Sequence, residues 1–540
     1  MGKIALLGLA SISIFAQDIS GERIRAHVRF LASDLLEGRG VGARGGDLAT
    51  EYLATQLAIA GAKPAGENRT WFQAVPLVGV QTLDGSQLRA GEMDFKLLDD
   101  FVGAAQTQAP EQEFAGEAIF VGHGITAPEF GWDDYAGVDV KGKVVVLFTN
   151  EPPSEDPQFF GGRALTYYGR WTYKYEQALR RGASAALILH TSPTAGYGWE
   201  VVRNSWGRED FHVKRAGDAL DFAGWLSQAA SEKVAAAAGK SLPELLKLAD
   251  TRGFRAFPLG MKVSGRIHSK IRGLGTRNVA GIVRGSDPAL SGEVVIYSAH
   301  WDHLGISPNA AGDGIYNGAV DNATGCAMLL EMARAWADAK VKPRRSAMFI
   351  FMAAEESGLR GAEYYVSQPL TPLSKTSLVL NFDSFYPFGR IKDVVLTGAE
   401  RTTFWPRIQD IAQRFELTIA PDPRPEQGSF FRSDHFPFAK AGTPAFSIEG
   451  GATFLAHAEA SAEKLKEYGV RSYHQPSDEY RDDWDFSNME YLARFGVALG
   501  QEAANSDELI RFADEARQPP QPKADKPKPG APRRKRGAVK

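Results

Sequence analysis

SAMFIFMAAEESGLRG, residues 346–361, decides how this chain is read. An apolar run, Ala347 to Met352, passes through two small residues. It then stops at paired glutamates, Glu355 and Glu356, followed by Ser357 and Gly358. A short continuous apolar run closed by a turn is the pattern of a strand buried on both faces. Two adjacent carboxylates at its carboxyl end need a physical reason, because buried and uncompensated they repel each other and take up protons.

The same punctuation recurs on either side. VVIYSAHWDHLG (294–305) ends a strand in His300, Asp302 and His303, and SLVLNFDSF (377–385) ends one in Asp383. NGAVDNATG (317–325) puts Asp321 just ahead of the helical pattern TGCAMLLEMARAWADA. From Thr276 onward, strand and helix patterns alternate, which argues for an α/β sheet with parallel strands. In such sheets the carboxyl ends of the strands line one crevice. Independent charges would scatter there, yet the three strand ends carry His, Asp and Glu and neither Lys nor Arg. A late YHQPSDEY (473–480) adds His474.

Imidazole with carboxylate suits zinc and, less selectively, manganese, cobalt or iron. His300, Asp321, Glu356, Asp383 and His474 exceed what one ion needs. Two ions about 3.5–4 Å apart, sharing one carboxylate and a water, would use them all. Asp302 points to the same side if its strand continues; in a turn its carboxylate reaches His300 from behind and fixes the tautomer. His303 is either a ligand or part of the pocket lining. Neighbouring side chains diverge past a strand end, so one of Glu355 and Glu356 can ligate while the other addresses water. Spacing alone does not say which.

The rest of the chain sets bounds. Its 540 residues allow two or three domains. A net charge of -3 argues against nucleic acid as the main partner. With one cysteine there is no intramolecular disulfide, and Cys326, beside Met328 and Leu329, reads as core. Lys3 and the apolar stretch Ile4 to Phe15 read as an export signal over residues 1–16, too short to span a bilayer comfortably and directing the chain to a periplasmic or extracellular location. No other stretch has the length of a membrane span, so no transmembrane segment is expected in the mature chain. Residues 513–540, rich in Pro, Lys and Arg, read as a solvated, disordered tail. GVDVKGKVVVLF has phosphate-loop spacing, but Val144 stands where Ser or Thr is needed and a strand follows. GRGVGARGG follows a helical segment instead of a strand. Neither a G-x-S-x-G elbow nor an H-E-x-x-H helix is present.

In SAHWDHLG, GAVDNATG, AAEESGLRGAEYY, NFDSF and YHQPSDEY, taken in order, the chain resembles the secreted di-zinc aminopeptidase family. Relatives of that family include bacterial leucyl aminopeptidases, aminopeptidase Y and glutamate carboxypeptidase II. LASDLLEGRGVGARGGDLATEYLATQLAIAGAKPAG resembles the family's N-terminal segment, and residues 114–265 resemble its inserted, β-rich protease-associated domain. The resemblance implies a three-layer α/β fold with a mixed, mostly parallel sheet and helices on both faces, its peptidase domain split over 17–113 and 266–512. It implies two Zn2+ ions, with Mn2+ or Co2+ as substitutes. Asp321 bridges them, His300 and Asp383 complete one site, and Glu356 and His474 complete the other. Glu355 is then the general base, and the Asp321–Asn322 peptide bond is cis. The implied activity is exopeptidase hydrolysis of peptides, aminopeptidase first and carboxypeptidase second. NFDSFYPFGR departs from the family's small, glycine-rich continuation, so Tyr386 and Phe388 shape the substrate pocket differently. His435, in FRSDHFPFAKAGTPAFSIEGG, either meets substrate or bound water or packs. Two rival readings remain, a single-zinc glutaminyl cyclase-type transferase and a non-catalytic receptor-like protein. The filled ligand set and the insert speak against both.

Overall fold

The computed structural model describes residues 18–215, 217–307 and 312–513. The export signal read in residues 1–16, and the basic tail past residue 513, lie outside them.

Helices α1 (Gly21–Leu31) and α2 (Arg44–Ile59) come first. The Ser20 hydroxyl caps α1 by accepting from the Arg23 amide, and Ile24, Val28 and Leu31 form its buried stripe. Next come β1 (Phe72–Thr82), β2 (Gln87–Ala90), β3 (Phe101–Ala104), β4 (Glu111–Phe120) and β5 (Val144–Leu147). Helix α3 (Trp171–Arg180) and strands β6 (Ala185–Leu189) and β7 (Phe222–Leu226) lead into β8 (Phe257–Val283), a strand of 27 residues. The alternation expected from the sequence then unfolds as β9 (Val294–His300), α4 (Thr324–Ala337), β10 (Ser346–Met352), α5 (Arg360–Ser367) and β11 (Thr376–Phe382). Helix α6 (His435–Lys440), β12 (Ala445–Gly450), α7 (Ala458–Arg471) and α8 (Ser487–Asn505) follow.

These strands make two sheets that share β8. In the first the order is β1, β8, β10, β9, β11, β12. The last four run parallel, while β8 is antiparallel to both β1 and β10. This is a mixed sheet with a parallel centre. Alternate residues of β9 and β10 go to opposite faces. Val295, Tyr297, Phe349 and Phe351 pack under α1, α2, α4 and α8. Ile296, Met348 and Ile350 pack with Tyr365 of α5 and Phe438 of α6. The helices therefore cover both faces, making three layers. In the second sheet the order is β3, β7, β6, β5, β4, β8, β2. It reaches back to β2 and β3, upstream of residue 114 where the sequence changes texture; strands of four residues carry too little alternation to announce themselves.

Helix α8 sits unusually close to the first sheet. Tyr297 is buried, stacks on Phe349 with ring centroids 5.0 Å apart, and donates its hydroxyl to the Gly496 carbonyl at 3.1 Å. Trp336 Nε1 donates to the same hydroxyl at 3.0 Å. A Cβ added at Gly500 would stand 1.8 Å from that hydroxyl. Helix propensity alone favours Ala over Gly by about 1 kcal/mol. Overpacking a core costs about 1–3 kcal/mol, and here the neighbour to be displaced is rigid and hydrogen-bonded. Gly500→Ala is therefore expected to lower the urea midpoint, by about 1–2 kcal/mol of stability. A raised midpoint would mean that propensity governs and the helix is loosely seated.

Candidate metal centre

Parallel pairing aligns three strand ends. His300 of β9 is in register with Met352 of β10, and Ser298 with Asn381 of β11. His300, the Glu355–Glu356 pair just beyond β10 and Asp383 just beyond β11 thus come to one edge. Asp321 arrives from a wide turn, Ala319–Ala323, that feeds α4, and the Asp321–Asn322 peptide bond is cis. Gly318, at φ +57°, opens this turn, and a Cβ there would lie 2.3 Å from the Asp321 carbonyl oxygen and 2.5 Å from the His303 ring. His474 reaches in from the segment after α7.

Asp321 lies between two imidazoles, one oxygen toward each. Its Oδ1 is 3.2 Å from His300 Nε2, and its Oδ2 is 3.2 Å from His474 Nε2. His300 Nε2 also lies 3.3 Å from Asp383 Oδ1, and His474 Nε2 lies 3.1 Å from Glu356 Oε2. His303 Nδ1 stands 2.6 Å from Glu356 Oε1, but without hydrogen-bond geometry. Three overlapping groups have ligand atoms within 4.8 Å of one another: His300, Asp321, Asp383; His303, Asp321, Glu356; and His300, Glu355, Glu356. The structure thus brings together all five residues read as ligands, and adds His303 on the Glu356 side.

The surroundings hold these groups in place. The His300 Nδ1 proton goes to the Asp302 backbone carbonyl at 3.1 Å, which leaves Nε2 facing the carboxylates. The sequence reading gave this task to the Asp302 carboxylate. The side chain instead turns toward the next strand end, where it accepts from the Glu355 amide at 3.1 Å and the Glu356 amide at 3.4 Å. Its nearest unsatisfied donors are those amides, and the imidazole is already served. Asp383 is oriented by a relay: Ser298 Oγ donates to Asn381 Oδ1, Asn381 Nδ2 to Ser433 Oγ, and Ser433 Oγ to Asp383 Oδ2 at 2.6 Å. Asp478 accepts from the Val320 and Asp321 amides and from the Tyr468 hydroxyl, at 3.0–3.1 Å. Buried Arg39 donates to four carbonyls, those of Leu31, Trp301, Asn317 and Gly318, tying the segments that carry His300 and Asp321.

Charge at this edge is unbalanced. Among the described residues, none of Asp321, Glu355, Glu356 and Asp383 pairs with Lys or Arg; the ion pairs of Asp321, Glu356 and Asp383 are with imidazoles. Burial opposes a charged His300, yet Asp383 and Glu355 carry its pKa well above the usual range. Burial opposes His474 too, but Glu356 and then Asp321 hold it up at about 10. Burial, then the charges of neighbouring carboxylates, raises Glu355 well above the ordinary range, even against the pull of His300. Glu356 Oε1 and both nitrogens of His303 are buried with no hydrogen-bond partner among the described residues. Orphaned donors of the right chemistry, in a site short of cations, fit divalent metal.

Other expectations come out as follows. Tyr386 packs edge-on against Tyr468, centroids 5.2 Å apart, and its hydroxyl is held up by burial and then by Asp321, so it borders the centre. His435 is buried against Phe430, neither ring nitrogen has a hydrogen-bond partner among the described residues, and burial lowers its pKa to about 4. Cys326 is core, and its thiol donates to the His300 carbonyl at 3.1 Å. Arg39, Ser433, Asp434 and Asp478 were missed. Asp434 is buried beside the centre with both oxygens unpartnered. The available signal was weak: Asp478 and Asp434 stand within motifs already quoted, whereas nothing local marks Arg39.

The fold and site define an α/β domain with a carboxylate–imidazole metal centre at the carboxyl edge of its sheet. Residues 278–494 match the model of peptidase family M28. Similar sequences include Leupeptin-inactivating enzyme 1 of Streptomyces exfoliatus, 30% identical over 186 residues (33% of this chain, 37% of that one). Others are probable leucine aminopeptidase 2 of Aspergillus oryzae, 34% over 167 residues (30% and 29%), and Aminopeptidase NAALADL1 of Mus musculus, 32% over 134 residues (24% and 16%). The matched stretches thus span well under half the length of these relatives. A solved aminopeptidase from Aneurinibacillus sp. strain AM-1 aligns over 91% of this chain and 95% of its own, at 19% identity and a TM-score of 0.48.

Asp478→Asn tests the support of Asp321. The Val320 and Asp321 amides meet different oxygens of Asp478, so whichever way the new amide turns its NH2 would face one donor N–H. Zinc affinity, measured by competition with a chromophoric chelator, is expected to fall about 10- to 100-fold. Unchanged affinity would show that the Asp321 turn holds itself.

Proposed function

We propose that the chain is an exported metallo-exopeptidase, an aminopeptidase before a carboxypeptidase, acting with two zinc ions. Asp321, with one oxygen toward His300 and Asp383 and the other toward His474 and Glu356, is the observation that carries this reading. His300 and Asp383 would hold one ion, Glu356 and His474 the other, and Asp321 both. His303 stands close enough to Glu356 to support the second set. A single-ion transferase would leave that second set without a task. Export rests on the sequence of residues 1–16, and the protease-associated reading of residues 114–265 on the sequence resemblance. Among the described residues no helix is long and apolar enough to cross a membrane.

When bound, the ions would lower the pKa of a shared water toward about 7 and polarise the scissile carbonyl. The chain supplies the rest. Asp302 grips the amides of both Glu355 and Glu356, so the base and the ligand are set by one anchor. Glu355 takes the proton of the attacking water and passes it to the leaving amine, as base and then as acid. The buried neighbours of Glu355, among them His300, Asp302 and Asp321, keep bulk water from competing for that proton.

A chelator is expected to abolish hydrolysis of aminoacyl arylamides, zinc to restore it, and metal analysis to give two ions per chain. One ion per chain, with cyclisation of N-terminal glutamine, would favour the transferase. Glu355→Ala should lose more than about 100-fold in kcat with its metal content intact. Turnover at the wild-type rate would remove Glu355 from the proton path.

A further inference from the structure

The lobe of the second sheet also reaches the first sheet away from β8. Between the parallel strands β6 and β7 the chain lays down a short strand, Asp210–Val213, before it returns to the lobe. This strap pairs antiparallel with β1, Asp210 opposite Val80 and Val213 opposite Leu77, on the side that β8 does not occupy. It is held at both ends. Glu209 forks onto Arg272 of β8, with Oε1 2.5 Å from Nε and Oε2 2.9 Å from Nη2. At the other end the Lys214 amide donates to the Pro76 carbonyl at 3.1 Å, and Gln108 Nε2 donates to the Val213 carbonyl at 3.0 Å.

Covering a bare sheet edge accounts for this ladder. It does not account for Arg360, the first residue of α5, whose largely buried guanidinium is directed mostly at the strap. Nε donates to the Phe211 carbonyl at 2.8 Å and Nη2 to His212 Nδ1 at 3.3 Å, while Nη1 meets Glu363 Oε2 at 3.0 Å. Burial lowers His212 to about 4, against the pull of Asp210 and helped by the charges of Arg360 and Arg215. The ring is therefore neutral near pH 7, and its Nδ1 can accept. Its Nε2 then faces Asp210 Oδ2 at 3.3 Å.

The backbone of Arg360 grips the loop that carries the paired glutamates. Its amide donates to the Ala354 carbonyl at 3.0 Å. That carbonyl shares a peptide unit with the Glu355 amide, which donates to Asp302 at 3.1 Å. The Ala354–Glu355 peptide is thus clamped at its oxygen by Arg360 and at its nitrogen by Asp302. The Glu355 carbonyl accepts from the Gly358 and Leu359 amides at 2.7 and 2.9 Å. Ala354 stands at φ +55°, a left-handed conformation that alanine rarely adopts unless it is held. Its side chain is buried in a small apolar cluster with Val75 and Leu77, and Phe211 and Val213 of the strap pack against that cluster. The strap therefore meets the residue before Glu355 in two ways, through Arg360 and through these apolar contacts.

We propose that the strap takes part in catalysis: it fixes the Arg360 side chain, and Arg360 fixes the peptide that aims Glu355. Arg360 acts through Glu355 and is a positioning residue. The inference deepens the reading of Glu355 as the base and rests on it. Through these four residues of the β6–β7 crossover, the lobe acts on turnover. A misplacement of about 1 Å in a reacting group can cost about 100-fold in rate. Glu356 keeps its own hold on Asp302, through its amide at 3.4 Å, so the metal set does not depend on the strap in the same way.

The test uses the zinc-loaded full chain. Arg360→Met keeps the apolar stem and removes the donors. It should lower kcat on aminoacyl arylamides about 10- to 100-fold, with KM within about threefold of the unmodified chain and metal content unchanged. Arg360→Lys keeps one donor for the Phe211 carbonyl and should recover part of the loss. Hydrogen exchange read by mass spectrometry should show residues 209–214 and 353–361 opening faster together in Arg360→Met, with residues 294–300 of β9 unchanged. Glu209→Ala loosens the strap from its far end and decides the matter if Arg360→Met does not fold: exchange should quicken in both segments, and kcat should fall. A kcat within about threefold of the unmodified chain in Arg360→Met would overturn the proposal. So would a strap that loosens while 353–361 stays protected, or a kcat loss that follows metal content or melting temperature. Failure of the peptidase reading shows separately, as no hydrolysis by the unmodified chain, and leaves the exchange result standing.

Discussion

Negative charge gathered at one sheet edge is the constraint around which this molecule is arranged. Asp321, Glu355, Glu356 and Asp383 crowd a largely buried space with three imidazoles, and among the described residues no lysine or arginine pairs with these four acids. Left alone, such a cluster would favour protonation or unfolding. Two further acids are stabilised by backbone dipoles: Asp302 and Asp478 each take two main-chain amides, which fixes the segments carrying Asp321, Glu355 and Glu356. The buried guanidinium of Arg39 nearby spends its donors on carbonyls. Neutralisation is thereby reserved for something that comes from outside.

The parallel order of β9, β10 and β11 is what makes the cluster possible. Antiparallel neighbours would send alternate strand ends to opposite edges. Parallel strands need helical crossovers, and α4 and α5 supply them. The first crossover also delivers Asp321, because the turn into α4 starts at the same edge as the strand ends.

Much of this was readable beforehand. Buried parallel strands are near-continuous apolar runs, so β9, β10 and β11 stand out, and a His, Glu or Asp at the end of each is conspicuous against Val, Ile and Phe. The residues expected to hold metal were legible as a group for that reason. The supporting groups were not. Arg39 acts on carbonyls up to 279 positions away, and no local pattern encodes such a distance. Asp302 was placed near the right partners but with the wrong atom facing His300, since whether the backbone or the side chain serves a ring nitrogen depends on a turn whose geometry spacing does not specify. The short strands β2 and β3 escaped because four residues hold too few alternations.

The strand β8 belongs to two sheets at once. Residues 257–258 and 262–268 pair with β4 and residues 269–283 with β1 and β10; the one bulge, at 259–261, lies inside the second sheet, and no loop interrupts the crossing at 268–269. A hinge needs a place where the backbone can turn freely, and an unbroken ladder has none. The two lobes are therefore joined as a beam joins two floors. Exchanging one lobe for a cousin's would be a problem of ladder registry more than of linker length, because a slip of one residue would turn every side chain of the strand to the opposite face.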